Sequence, residues 1–237
     1  MCGIPDVIFR AHWNDVDPLA PSLRTGGYRW DDFRPEPQFH VLYTGDSVEG
    51  CFIEKLQKYA AGHEETNKLL ADLGNEDGKT PQPNTVPASV LHSLAASALE
   101  VLDLSHSVAE PFDVRSLAEI SNLGAQMDIG LPKPLKAGHL ATTDYTIPQR
   151  ISVIVFEQTH AAGIVSRSSL DDPLSDKIHR NYNLYRALPE LGAETRVPLR
   201  RIETRPAMPA FVTDLRAAFG LLGASPALPL EYPGVRT

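Results

Sequence analysis

YRWDDFRPEPQFHVLYTGDSVEGCFIE, residues 28–54, is the stretch from which the rest of the chain is read. Pro35 and Pro37 precede a β-rich run, Val41-Leu42-Tyr43, and Thr44-Gly45-Asp46 turns it. Ser47 follows as a helix cap, its hydroxyl accepting an orphan backbone N–H. Cys51, Phe52 and Leu56, continued by Tyr59, mark one apolar side of that helix, and Glu54 falls near its middle. The segment predicts strand, turn, helix, with Tyr43 at the strand end and Glu54 about two turns into the helix. It also sets a cation (Arg29), an aromatic ring (Tyr43) and a carboxylate (Glu54) in order within a short distance. Those parts hold a phosphate, stack a flat heterocycle and stabilise a cationic transition state. A second cluster, AGIVSRSS at 162–169, adds Ser166-Arg167. Together they suggest chemistry on a nucleotide such as NAD, although spacing alone does not decide it.

The bulk composition narrows the field. A length of 237 residues suits one generous domain, and 42% hydrophobic residues support a buried core. The net charge of -8 argues against general affinity for a nucleic-acid backbone. It leaves room for an anionic ligand in a local basic pocket. Cys2 and Cys51 are too few for a disulfide framework or a four-thiolate zinc site, and a reducing cytoplasm is the expected compartment. No apolar run of about 18 residues predicts a membrane span. The N-terminus lacks the basic-then-apolar order of a secretory signal. The histidines are scattered, so no metal site is expected. Cys2 could become an N-terminal nucleophile after loss of Met1, as in glutamine amidotransferases. The residues that follow, Pro5-Asp6 and Trp13 to Pro18, do not fit that layered β-sandwich.

Further along, Val7 to Arg10 predicts a short strand. Residues 74–87, with two glycines and three prolines, read as a loop, either a surface insertion or a domain boundary, with the insertion favoured. Ala88 to Ala98 predicts a helix and Glu100 to Leu104 a strand. Asp113 is placed to cap a helix over Val114 to Met127. Asp144 or Thr146 is placed to cap another, with Pro148 in its first turn. Ile151 to Val155 suits helix or strand. Gly163 to Arg167 and Asn183 to Tyr185 predict strands, and Pro206 to Leu222 a C-terminal helix.

These residues, in this order, resemble the RES domain family, named for an Arg, a Glu and a Ser. The resemblance is carried by Arg29-Trp30, Leu42-Tyr43, Glu54, Leu102-Asp103-Leu104, Asp144-Tyr145, Gly163-Ile164 and Ser166-Arg167. It departs from the family pattern in a long gap between Arg29 and Tyr43, which makes Arg34 a rival for the arginine role. It implies one domain over 1–237: a core of about 8–187, an insertion of about 62–90 and a helical extension of about 190–237. The implied fold is α/β (α+β) and ADP-ribosyltransferase-like, with two small packed sheets around an NAD cleft and flanking helices.

The resemblance further implies a toxin of a toxin–antitoxin pair. Its NAD substrate would be cleaved at the nicotinamide–ribose bond by phosphorolysis or hydrolysis. Glu54, Arg29 and Ser166 would be catalytic; Arg29, Tyr43, Tyr59 and Ser166 would bind NAD. No prosthetic group or metal is implied. Inorganic phosphate is a candidate co-substrate. An Xre-type helix-turn-helix antitoxin, or a second copy of the chain, is a candidate partner. Protein ADP-ribosylation and a non-catalytic interaction module are the alternatives. Each residue also has an ordinary structural role open to it: Arg29 paired with Asp31 or Asp32, Tyr43 in a core, Glu54 solvated beside Lys58, Ser166 in a strand or turn.

Overall fold

The computed structural model describes residues 5–13, 19, 27–56, 85–86, 90–91, 94, 97–104, 109–140, 144–168, 178–187, 200–206 and 212–226. The elements run β1 (Val7–Trp13), β2 (Phe39–Gly45), α1 (Val48–Leu56), β3 (Thr85–Val86), β4 (Ser97–Asp103), β5 (Phe112–Asp113) and α2 (Leu117–Gly124). A 3-10 turn (Ala137–Leu140), α3 (Thr146–Gln158), β6 (Gly163–Arg167), β7 (Arg180–Ala187), β8 (Arg200–Pro206), α4 (Val212–Leu222) and β9 (Ser225–Pro226) follow.

Seven strands form one mixed sheet in the order β5-β6-β7-β2-β1-β4-β8, and β3 pairs with β9 in a two-stranded ribbon. The large sheet is two half-sheets joined at a seam. β2 pairs with β7 over its whole length, from Phe39↔Ala187 to Gly45↔Asn181, and β1 pairs with β4 from Val7↔Asp103 to Trp13↔Ser97. Between β1 and β2 the register holds one pair, Phe9↔Gly45. Side chains alternate across each strand, so each half-sheet has two faces to cover. Ile8, Leu102 and Leu104 from one half share a buried cluster with Leu42, Tyr182 and Leu184 from the other. The expected pair of small packed sheets is thus replaced by one seven-stranded sheet, continuous through the β1–β2 pair, with a separate two-stranded ribbon.

Helices cover the outer faces. Cys51, Phe52, Ile53 and Leu56 of α1 pack with Leu215, Ala218, Phe219 and Leu222 of α4, over Phe9 and Ala11 of β1. Ile151, Val153 and Val155 of α3 and Ile120 of α2 pack over Phe39, Val41, Ile164 and Tyr185. Three rings, Phe39, Phe156 and Tyr185, lock α3 to the sheet with centroids 4.5–5.3 Å apart. The mixed α/β fold is as the sequence predicts.

Local signals hold at several points. The Ser47 hydroxyl accepts the Gly50 N–H at 3.1 Å. The N-cap of α3 is Tyr145, without a side-chain cap, and not Asp144 or Thr146; Asp144 Oδ1 accepts the Thr146 N–H at 2.9 Å just ahead of it. Ile151 to Val155 is helix, because α3 buries this whole run against the sheet.

Others shift. Asp113 ends β5, and its carboxylate folds the Arg115 N–H into a turn, so α2 begins at Leu117 rather than at 114. Ser97 and Ala98 belong to β4, not to a preceding helix. Glu54 lies in the last turn of α1 as described, not at its middle. Within 190–237, read as a helical extension, Arg200–Pro206 is the edge strand β8, and α4 starts at Val212. Pro206, with no N–H to donate, ends the strand. Nearly all of 62–90 lies outside the described residues. Among the described residues no helix is long and apolar enough to cross a membrane.

Candidate active site

Alternation decides which side chains of β2, β6 and β7 meet. Tyr43 shares its face with Phe39 and Val41, and its register partner is Asn183. Ile164 pairs with Asn183 and Ser166 with Asn181, so Tyr43, Asn183, Asn181 and Ser166 lie on one face of one half-sheet.

Glu54 reaches this face from α1. Its Oε1 accepts Nδ2–H of Asn181 at 2.8 Å and the Ser168 hydroxyl at 2.9 Å. Its Oε2 has no hydrogen bond from the described residues. Both hydrogen bonds thus fall on one carboxylate oxygen. Ser166 Oγ lies 3.4 Å from Asn183 Nδ2, a long contact that places it one step along β6 from the carboxylate.

Arg29 sits in the loop that enters β2. Its Nη1 donates to the Leu140 carbonyl, and its guanidinium lies 5.3 Å from the centroid of the Tyr145 ring. It pairs with neither neighbouring aspartate. Asp31 Oδ1 accepts the Tyr43 hydroxyl at 2.8 Å, and its Oδ2 accepts the Tyr28 N–H at 2.9 Å. Asp32, 2% exposed, takes a two-pronged contact from Arg34, Nε at 2.8 Å and Nη2 at 2.7 Å. Arg34 also reaches Glu157 on α3. The rival arginine pairs with two carboxylates, whereas Arg29 meets a carbonyl and an aromatic ring.

The electrostatics fit a site that keeps Tyr43 neutral. Burial, then the neighbouring charge of Asp31, pushes the Tyr43 phenol well above its ordinary value. Burial likewise raises the Asp31 carboxyl, offset in part by the Tyr43 hydroxyl it accepts. Two cavities lie away from this face. One of about 640 Å³ is between α2 and residues 127–135. One of about 380 Å³ is lined by Asp113, Arg115, Arg167, Arg180 and Tyr182 and touches the site only at Ser166. Among the described residues no group of three or more His, Cys, Asp or Glu could hold a metal ion.

The RES domain family model matches residues 5–207 of this chain. The chain belongs to the RES domain family. A chain of the M. tuberculosis MbcT–MbcA toxin–antitoxin complex is similar in structure. It has 16% sequence identity and a TM-score of 0.47, and the likeness covers 90% of this chain and 89% of that one. No curated protein matches.

Within this RES domain, Arg29 lies in the loop before β2, Tyr43 on β2 and Glu54 on α1, and Ser166 shares the Tyr43 face of the sheet. Tyr59 is outside the described residues. Sequence reading passed over Ser168, Asn181 and Asn183. The one signal for Ser168 is that it follows Ser166 at a spacing of two, on the same face of an extended chain. Strand asparagines carry no motif, and their part becomes visible only with the register.

Proposed function

We propose that this RES domain cleaves the bond between nicotinamide and ribose in NAD. The observation that carries the reading is Glu54. Its carboxylate is fixed through Oε1 by Ser168 and by Asn181, a residue on the face that Tyr43 shares. As the bond breaks, positive charge grows on the ribose and the pyridinium leaves as neutral nicotinamide, taking the bonding electron pair. A preset carboxylate near the ribose hydroxyls stabilises that charge without reorganising, an effect that often contributes more to catalysis than any other. Arg29 holds the anionic phosphates by paired hydrogen bonds. The Tyr43 ring borders the nicotinamide end, and Ser166 and Ser168 line the ribose side. Water or inorganic phosphate adds to the ribose carbon from the opposite side; with water, one proton is released to solvent. No prosthetic group is needed, because nicotinamide is already a good leaving group.

RES proteins are best known as toxins, and depletion of NAD is a reason for a cell to keep such a chain inhibited. An antitoxin of the helix-turn-helix class is therefore the partner we propose. The test is NAD consumption by the purified chain, with and without phosphate, beside Glu54→Gln, following nicotinamide and the ribosyl product together. NAD loss that vanishes in the variant supports the reading, and its phosphate dependence names the acceptor. A folded wild-type chain that leaves NAD intact overturns it. If ADP-ribose were found on protein instead, the acceptor would be a side chain.

A further inference from the structure

Arg29 stands between two residues whose backbone polar groups are all held by side chains. The Tyr28 N–H donates to Asp31 Oδ2 at 2.9 Å, and the Tyr28 carbonyl accepts Gln149 Nε2–H at 3.0 Å. The Trp30 N–H donates to the Tyr43 hydroxyl oxygen at 3.2 Å, and the Trp30 carbonyl accepts the Ser152 hydroxyl at 2.7 Å. The Tyr43 hydroxyl donates to Asp31 Oδ1 at 2.8 Å, closing the set into one network. Asp31 is 3%, Gln149 8% and Ser152 0% exposed. Two contributors come from α3, one from β2 and one from the loop itself.

We propose that Asp31, Tyr43, Gln149 and Ser152 form a clamp that fixes the Arg29 backbone for an anionic group of the substrate. In this clamp the Tyr43 hydroxyl acts through Arg29 and not on the substrate. The proposal rests on the reading of Arg29 as the residue that holds the NAD phosphates.

Entropy and spent hydrogen-bonding capacity both favour the clamp. An unclamped loop residue loses roughly 1–2 kcal/mol of backbone entropy when ordered, and its side chain about as much again. A loop ordered during folding has met that cost before the ligand arrives, which raises affinity without adding a contact. The Tyr43 hydroxyl has one proton to give, and Asp31 takes it. One of its lone pairs faces the Trp30 N–H. A phenol so occupied is poorly placed to donate to a substrate. The buried Asp31 carboxylate is costly to keep, and what it holds is the ring that anchors Arg29.

A clamp that merely satisfied a buried loop would make the same bonds, so the test must separate positioning from stability. Arg29→Ala, Tyr43→Phe and Ser152→Ala are measured singly, and the latter two also on the Arg29→Ala background, for kcat and KM in NAD consumption and for thermal midpoint. We expect Tyr43→Phe and Ser152→Ala each to raise KM about five- to tenfold with little change in kcat, the mark of lost uniform binding. On the Arg29→Ala background each should shift KM less than about twofold, because they act through the residue already removed. Ser152→Ala keeps the test open if Tyr43→Phe folds poorly. Full, independent effects on the Arg29→Ala background overturn the clamp. So does an unchanged KM in both single variants. A folded wild-type chain that consumes no NAD instead overturns the reading on which the clamp rests.

Discussion

If the proposed NAD cleavage holds, removing the two donors to Glu54 should suppress it, as Glu54→Gln is expected to do. Ser168→Ala and Asn181→Ala each delete one hydrogen bond to Oε1, of 2.9 and 2.8 Å respectively. Hydrogen bonds to a charged group are worth about 1.5–3 kcal/mol each. A preorganised group facing developing charge is worth about 10²–10³ in kcat. With one donor left, the carboxylate keeps an anchor but can pivot, and we expect kcat to fall about tenfold, or ~1.4 kcal/mol. With both gone, kcat should fall about 10²-fold or more, bounded by the activity of Glu54→Gln. The loss belongs in kcat rather than in KM, because the interaction strengthens as charge builds on the ribose. Initial rates of NAD loss across a substrate series give both parameters, and thermal melts confirm that each variant is folded. A double variant that keeps more than about a third of wild-type kcat, while Glu54→Gln is inactive, would refute the argument that Ser168 and Asn181 aim the carboxylate.

Gly163→Ala should be among the most damaging single-methyl changes. A Cβ there would lie 2.1 Å from the Asn183 carbonyl oxygen and 2.7 Å from Leu184 Cα, both backbone. β6 must move off β7, costing about 1–3 kcal/mol or more in a chemical melt, with activity falling as Ser168 moves; a melt unchanged from wild type contradicts this close approach. Asp46→Asn should stabilise the chain at neutral pH. Burial raises the Asp46 carboxyl above its ordinary value, and its Oδ1 has no hydrogen-bond partner. A raised carboxyl costs stability above its folded pKa, and the cost fades as pH falls below it toward the unfolded value. The thermal advantage of the variant should therefore shrink on acidification, and an advantage that grows instead reverses the sign. Cys51 is buried, and its thiol is pushed up to about 12. In a Cys2→Ser chain, a thiol reagent near pH 8 should label nothing until denaturant is added, and rapid labelling of the native chain would show that α1 opens.

What the sequence could reveal follows from how locally each feature is encoded. The Ser47 cap and the β2 run were legible because capping and alternation act within a few residues. α3 was ambiguous because Ile151 to Val155 is buried almost throughout, leaving no polar side to mark a period. β8 was invisible: Ile202 is the one apolar residue inside RRIETRP before its final proline, and it is 54% exposed. An edge strand held by backbone pairing to β4 needs no apolar alternation. Ser166 in β6 and Ser168 just past its end sit two residues apart, so no periodicity ranks them; what puts Ser168 on Glu54 is the end of the strand relative to α1. The order of Arg29, Tyr43 and Glu54 was legible, whereas Asp31's grip on Tyr43 was not, since two adjacent aspartates beside two arginines suggest ion pairs of several kinds.

Register explains why this stretch specifies so much. Arg29 precedes β2, Tyr43 lies within it, and Glu54 follows it, so all three are positioned relative to a single strand. Their partners Asn181 and Asn183 come from β7 at fixed pairings, Gly45↔Asn181 and Tyr43↔Asn183. A slip of β2 by one residue would turn Tyr43 away from Asn183, and with it the hydroxyl that holds the Arg29 loop. It would also send Phe39 and Val41 to the face now held by Leu42, and Leu42 to the face under α3. The apolar residues that make a slip costly are therefore the same ones that keep Tyr43 on the face of Asn181 and Asn183. In this chain the packing of β2 and the geometry of the site are not separable, so a substitution at Phe39 or Val41 should lower activity and stability together.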